Sequence, residues 1–449
     1  MTVRSAAKTV GTLGLLGAAL PLNLAITGTA LVRSAVTAAV TAAAPGDTGV
    51  ASSSADTPTA RSILISGGKM TKSLALARAF HAAGHRVVLV ETARYRLTGH
   101  RFSRAVDRFH VVPDPTDPGY AAALLDIVQR EGVDVYIPVC SPVASRYDAQ
   151  AAELLADHCE VVHVAADDID GLDDKYRFAR AAEALGLGVP RTHLITDAQQ
   201  VLDHDFPDDG SRWILKSIPY DPVRRLDLTP LPRPTPAETR AFVEQLPISP
   251  EQPWILQELV EGREYCTHGL VRDGHLQVWA CCESSPFQVN YAMVDKPEIE
   301  AWVRRFVAAH GLTGQVSFDF MATAGGELKV IECNPRTHSA ITMFHEHPDL
   351  ARAYLDDGVE TITPLADSRP TYWLYQELWR LLIDPSSLRE RLRVVREGRD
   401  ATFAWDDPLP FLAVPHLHIP SLLIANLLAG KDWIRVDFNI GKLVEDAGD

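Results

Sequence analysis

Between Ser317 and His338 the chain reads SFDFMATAGGELKVIECNPRTH, two apolar-rich runs around Gly325-Gly326. A two-residue Gly-Gly turn is the tightest closure for such a pair of strands. It sets Ala324 against Glu327, Thr323 against Leu328 and Asp319 against Glu332. Directly opposed residues share one side of the sheet, with Cβ atoms roughly 4.5–5.5 Å apart. Two carboxylates about 5 Å apart, at an effective dielectric of about 20, repel by about 3 kcal/mol. That is a large fraction of a domain's net stability, and a divalent cation turns it into attraction. Asn334 lies two residues beyond Glu332 and is held extended by Pro335, so it stays on the same side. Asp319, Glu332 and Asn334 form a hard, all-oxygen donor set suited to Mg²⁺, which keeps several waters and binds phosphates. A solvated acidic edge is the competing reading of the hairpin taken alone.

The 449-residue chain has room for two or three domains. Its formal charge of −15 argues against nucleic acid as a partner, so any phosphate ligand needs local Lys and Arg or a metal. The six cysteines form no CxxC pair, which weakens zinc and thioredoxin-like readings and fits a reducing, cytoplasmic setting. Val10 to Val32, VGTLGLLGAALPLNLAITGTALV, carries no charge. It is nearly long enough to span a bilayer, yet it holds Pro21, Asn23 and several Gly. Weak membrane association through residues 10–40, a spanning helix, a cleaved secretory signal and an inert Ala-rich extension all stay open. Residues 45–60 read as a flexible linker, so folded structure is expected from about Arg61.

SILIS, GGKMTK, the helical run SLALARAFHAAG and RVVLVE form a βαβ unit with a Gly-rich turn at the strand end. The strands VDVYIPVC and CEVVHVA continue the pattern, making residues 61–165 a small parallel-sheet domain. Ligands of such sheets sit beyond the strand C-termini, where Gly67, Gly68, Lys69, Glu91 and Ser141 fall. After Ala166 come the helix DDKYRFARAAEALGLGVP, starting at Asp173 or Asp174, and the strand RWILKS with Lys216 among apolar residues. The strand WILQELVEG, the strand pair REYCTHGLVRDGHLQVWACCE, a helix around Ile299–His310 and the hairpin follow.

Two lysines, a strand ending in a polar hinge, G-x-E-Y and then D…E-x-N resemble the ATP-grasp superfamily over about residues 61–345. The resemblance implies an α/β chain with an ATP-grasp fold, two α+β subdomains clasping ATP. A Rossmann-like parallel-sheet domain precedes it and a C-terminal extension follows. The implied divisions are an apolar segment and linker (1–60), the preceding α/β domain (61–165), the first subdomain with a flap loop (166–250), the second with the metal site (251–349) and the extension (350–449). By similarity Lys175 and Lys216 hold ATP phosphates, Gln257, Glu258, Leu259 and Val260 form the adenine hinge, and Glu264 binds the ribose. The family pattern implies that Asp319, Glu332 and Asn334 hold Mg²⁺, as two ions, with Mn²⁺ able to substitute. Lys216, Arg336 and Arg225 carry the catalytic charge. One departure is the loop KSIPYDPVRRLDLT, which lacks the Gly-rich flap; Arg224 and Arg225 clamp phosphate there or the loop reads an acceptor.

The stretches ISGGKMTK, ETARYRLTGHRFSRAVDRF, PVCSPVAS, LKSIPYDPVRRLDLT, ESSPFQVNY and ECNPRTHSAITMF are similar to the ATP-grasp ligases of mycosporine-like amino acid biosynthesis, as are the apolar N-terminus and the ending WIRVDFNIGKLVE. That likeness implies ATP-dependent joining of glycine to 4-deoxygadusol. For substrate contacts the polar residues interleaved with aromatics stand out: Glu283, Ser284, Ser285, Gln288, Asn290 and Tyr291, then Arg336, His338 and Ser339. His338 is also a candidate base. Phe411–Gly430 is apolar and covers the core, forms a homodimer interface or touches membrane; His416 and His418 within it alternate in a strand-like way. Two rivals remain. One is an ATP-grasp ligase joining two amino acids, with the same ATP site. The other is a non-catalytic, membrane-associated nucleotide-binding protein, against which the joint presence of Lys175, Lys216, Asp319, Glu332 and Asn334 counts.

Overall fold

The computed structural model describes residues 3–43, 59–219, 221, 224, 227–284 and 290–445. The linker expected over 45–60 lies almost wholly outside them, and Val3–Ala43 is one long helix.

Five short strands build the first layer: β1 (Ser62–Ile65), β2 (Arg86–Thr92), β3 (Arg108–Val112), β4 (Val135–Ile137) and β5 (Glu160–Val161). They pair in parallel in the order β3-β2-β1-β4-β5. The order reverses between β1 and β4, which opens a crevice beyond their C-terminal ends. Every residue of β1 is buried, as helices on both faces require. Gly67 follows with φ +66°, and a Cβ there would meet the Val139 carbonyl oxygen at 2.1 Å. Only glycine fits this turn, which delivers Lys69 and the helix Thr71–Ala82 to the crevice.

Next comes an antiparallel sheet of β6 (Thr192–Ile195), β7 (Trp213–Ser217) and β8 (Trp254–Glu258), in the order β6-β8-β7. The sequence division at residue 250 put β8 with the second subdomain, but it is the middle strand of this sheet. Trp254 and Leu256 bury against Leu215 and Trp213 there. The third sheet is antiparallel: β9 (Arg263–Arg272), β10 (His275–Glu283), β11 (Gly314–Ala322) and β12 (Leu328–Asn334), in the order β10-β9-β11-β12. The helix Pro297–Ala309 lays Ile299, Trp302, Val303 and Phe306 on one side of this sheet, against Phe318 and Phe320. That spacing of three and four is the apolar stripe of a packed helix. The other side of the sheet carries the polar residues.

The hairpin β11–β12 closes through one residue more than the Gly-Gly turn. Thr323 N–H donates to the Glu327 carbonyl at 2.9 Å, and Gly326 takes φ +83°, so Ala324, Gly325 and Gly326 form a three-residue loop. Pairing runs Ala322↔Leu328, Met321↔Lys329 and Phe320↔Val330, then shifts, with Ile331 as the extra residue. This bulge restores the opposition of Asp319 to Glu332. The turn differs from expectation, yet the two carboxylates face each other.

The extension is mainly helical, including Leu374–Ile383, Leu388–Glu397 and Ile419–Ala429. His416 and His418 lie on a helical turn, Val414–His418, so the strand-like alternation does not hold. His416 Nε2 lies 2.7 Å from the Tyr375 hydroxyl, and His418 is fully buried. The extension joins the main core through Trp373, Val414, Leu423 and Phe438.

Candidate functional site

Strand parity collects the polar residues. On β9 the residues Glu264, Cys266 and His268 alternate with Tyr265, Thr267 and Gly269. Asp319 is registered with Cys266 on β9 and Glu332 on β12, and Glu264 with Met321. Asn334 Nδ2 donates to Asp319 Oδ2 at 3.2 Å and to Glu332 Oε1 at 3.4 Å. Its carbonyl oxygen accepts from Arg336, whose other nitrogen lies 3.2 Å from Asp173 Oδ1. Lys216 reaches the same face from β7, half-buried. Lys175 is the first residue of the helix Lys175–Ala184, capped by Asp174, whose carboxylate accepts from the Tyr176 and Arg177 amides.

Electrostatics show that these groups feel one another. Burial and the facing Glu332 raise the Asp319 carboxyl well above its ordinary value. Burial pushes Glu332 the same way, but Lys175 and Lys216, aided by Asp319 and Arg336, overrule it and hold Glu332 at about 2. Burial lowers Lys216, helped by Lys175 and opposed by Glu332, Asp319 and Glu264. In the cation-free state the environment therefore favours the negative charge on Glu332 over Asp319. Three oxygen-bearing side chains on one face fit a hard divalent cation. To offer its oxygen, the Asn334 amide would have to turn over, which also releases Arg336.

The remaining expected residues fall into groups. Gln257 is buried, its amide donating to Thr192 Oγ1 at 3.2 Å. The Leu259 N–H donates to the Arg212 carbonyl at 2.7 Å, so it is not open to an adenine ring. The Glu258 carboxylate pairs with Arg191 and Lys329, each at 3.3 Å, and its N–H donates to the Arg191 carbonyl at 2.9 Å, leaving its own carbonyl and Val260 as hinge groups. Glu264 accepts from the Ser284 hydroxyl at 2.8 Å, which places Ser284 beside the cluster. Glu283 does not belong there. It is registered with Tyr265, whose side is covered by the helix Pro297–Ala309, and pairs with Arg263 at 2.8 Å in an exposed position. Arg224 is drawn to the Asp221 carboxylate at 3.2 Å. Arg225, Ser285 and Gln288 lie outside the described residues.

Tyr291, His338 and Ser339 form a second group. The Tyr291 ring meets His338 and Trp373 edge-on at centroid distances of 5.4 and 5.9 Å. His338 Nδ1 accepts from the Ala340 amide at 3.2 Å, and the ring lies near the Cys266 and Cys282 thiols, themselves 3.4 Å apart. The Ser339 hydroxyl accepts from Asn439 at 2.8 Å. Asn439 also receives the Thr71 amide at 2.9 Å, so the extension ties the Gly-rich turn to this group.

The strongest omission from the sequence reading is Lys72. It is buried, and its ammonium donates to the Thr337 carbonyl at 2.6 Å. Burial and the neighbouring Arg336 lower it to about 7. Its signal was its place in GGKMTK, one residue into a helix that starts at the crevice. Lys69 closes the crevice edge, its amide donating to Glu91 at 2.9 Å.

A parallel five-stranded sheet, a three-stranded antiparallel sheet and a four-stranded antiparallel sheet facing it define the ATP-grasp fold. Among similar solved structures is N5-carboxyaminoimidazole ribonucleotide synthetase in its ADP complex, 15% identical with a TM-score of 0.53; the match covers 73% of this chain and 86% of that one. Biotin carboxylase from Campylobacter jejuni, in a β-γ-ATP complex, is 13% identical with a TM-score of 0.52, over 66% and 72% of the two chains. The biotin carboxylase domain of a single-chain bacterial carboxylase is 17% identical with a TM-score of 0.52, over 68% and 71%. No protein-family model and no curated protein matches the sequence.

Proposed function

We propose that the chain is an ATP- and Mg²⁺-dependent carbon–nitrogen ligase that joins glycine to 4-deoxygadusol, the activity of mycosporine-glycine synthase. The observation that carries the ligase reading is the single electrostatic cluster of Lys175, Lys216, Asp319, Glu332, Asn334 and Arg336 on an ATP-grasp fold. Nucleotides in the similar solved structures support it. The substrate pair rests on the sequence stretches quoted above, and the polar groups of His338 and Ser339 beside the Tyr291 ring support a hydroxylated ring as the ligand.

Lys175 and Lys216 bind the phosphates as point charges, and Glu264 takes the ribose hydroxyls. Mg²⁺ held by Asp319, Glu332 and Asn334 would neutralise charge on the phosphate oxygens. The acceptor enone carries a β-hydroxyl, making it a vinylogous acid. Its enol oxygen attacks the γ-phosphorus and ADP leaves. The glycine amine then adds to the carbon bearing the phosphate, phosphate departs and one amine proton is lost. Arg336 steadies the transferred phosphoryl group. Rate enhancement comes from positioning and charge, with no covalent enzyme intermediate.

The test is ADP release by purified protein with Mg²⁺ and 4-deoxygadusol, with and without glycine, followed with near-UV absorbance. Glycine-dependent ADP release and a new absorbing adduct are expected. Turnover only with amino-acid pairs would keep the ligase and overturn the substrates. ATP binding without turnover in either case would favour a non-catalytic binder.

A further inference from the structure

The helix Val3–Ala43 has its polarity reversed. Thr9, Thr12, Asn23 and Thr27 are buried, while Leu22, Leu24, Leu31, Val32, Val36 and Val40 are exposed, Leu22 by 68%. A helix resting on a soluble domain turns its apolar stripe inward. Here the polar side welds the helix to the C-terminal extension. Asn23 Nδ2 donates to the Tyr375 hydroxyl at 2.8 Å and the Phe411 carbonyl at 3.1 Å. Trp433 Nε1 donates to Thr9 Oγ1 at 2.9 Å, Lys8 donates to the Trp433 carbonyl at 3.1 Å, and Arg33 lies 4.9 Å from the Trp405 ring.

Apolar residues of the extension are exposed as well. Leu378, Leu382 and Ile383 stand out from the helix Leu374–Ile383, and Ile424 and Leu428 from the helix Ile419–Ala429, Leu428 by 83%. A cleft of about 240 Å³ opens between the N-terminal helix and Leu374–Ile383, walled by Leu15, Leu16, Leu378, Trp379, Leu382 and Trp433. An apolar surface of this extent marks an interaction site.

Charge identifies what covers it. The helix Leu388–Glu397 follows Leu374–Ile383 almost at once and packs on it. It holds four arginines to two glutamates in a chain of net charge −15. Arg391 is engaged by Glu377 at 2.7 Å. Arg389, Arg393 and Arg396 are exposed at helical spacing beside the exposed Leu388 and Leu392. Guanidinium groups next to leucines on an open face suit phospholipid headgroups over acyl chains.

We propose that the chain docks on an anionic phospholipid bilayer, with the N-terminal helix lying in the plane of the interface and the Leu388–Glu397 helix against the headgroups. The contacts from Lys8 to Arg33 bind the N-terminal helix lengthwise to the body. That interval measures about 38 Å at about 1.5 Å per residue, more than the roughly 30 Å of a hydrocarbon core. Spanning would break all of these contacts.

The experiment is flotation of the full chain with phosphatidylcholine vesicles, with and without phosphatidylserine. Binding is expected only with phosphatidylserine and is expected to weaken with salt. Arg389→Glu/Arg393→Glu/Arg396→Glu lowers partitioning about a hundredfold, and Leu22→Asp/Leu428→Asp removes it, while circular dichroism of both variants stays native because every altered residue is exposed. No flotation with either vesicle overturns the proposal. So does resistance to alkaline carbonate extraction, which means spanning, or a stable dimer that binds no vesicles, which makes a second copy the occupant.

Discussion

Replacing Asp319 by Asn and Glu332 by Gln tests the charge assignment, because the structure predicts unequal effects from two similar changes. Burial and Glu332 raise Asp319, so its ionised form is a burden in the cation-free protein. An Asn there still accepts from Asn334 Nδ2 and can donate to Glu332. Asp319→Asn should shift cation-free stability by less than about 1 kcal/mol. Glu332 differs: its folded value of about 2 lies below the ordinary 4.5, so its ionised form stabilises the fold. At about 1.4 kcal/mol per pH unit that is worth about 3 kcal/mol at most, and about 2 for a half-buried group. The contribution is present above about pH 4.5 and is lost as pH falls through 2. Glu332→Gln should therefore cost about 2 kcal/mol at pH 7 by urea unfolding in EDTA. Both variants should lose Mg²⁺-dependent stabilisation by ATP, which reaches about 2.7 kcal/mol at a hundredfold excess over Kd, and both should lose turnover. Equal costs in EDTA would refute the electrostatic argument. Retained Mg²⁺-dependent stabilisation in either variant would refute the metal assignment.

Lys72→Met should stabilise the protein most below pH 7. The folded state lowers Lys72 from 10.5 to about 7, so between those values the folded protein releases a proton that the unfolded chain keeps, and wild-type stability gains with rising pH. The drop is worth about 5 kcal/mol at most, less about 2–3 for the hydrogen bond to Thr337; the variant's advantage, about 2 kcal/mol at pH 6 by urea unfolding, should vanish as pH approaches 10.5. A pH-independent difference would mean that folding leaves the proton affinity of Lys72 unchanged. Glu283→Ala should leave turnover unchanged and cost under about 1 kcal/mol, since its pair with Arg263 is exposed; a tenfold fall in turnover would return Glu283 to the site.

What the sequence made readable was local. Lys216 stood out as one charge among apolar strand residues, and Asp319 opposite Glu332 followed from counting outward from the turn. That count succeeded through two departures that cancel: a loop one residue longer and a bulge at Ile331. The side taken by Glu283 could not be read in the same way. Its parity depends on which residue of β9 it meets, and the β9–β10 pairing itself shifts between Leu276 and Val278.

Residues that act across long distances in sequence were the least legible. Lys72 looks like an ordinary helix-start lysine until Thr337 and Arg336, more than 260 positions away, close over it. Asn439 has no local pattern at all, yet it joins Thr71 to Ser339. The N-terminal helix shows the same problem in another form. Its uncharged stretch allowed weak membrane association, a span, a signal or an inert extension, because hydrophobicity alone does not say which side faces the protein. The bonds that Thr9 and Asn23 make with the extension show which side that is: the helix turns a polar back to the protein and leaves an apolar front exposed. The extension thus does two jobs that its own sequence hides: it braces the Gly-rich turn beside the candidate site and carries the helix that exposes that surface.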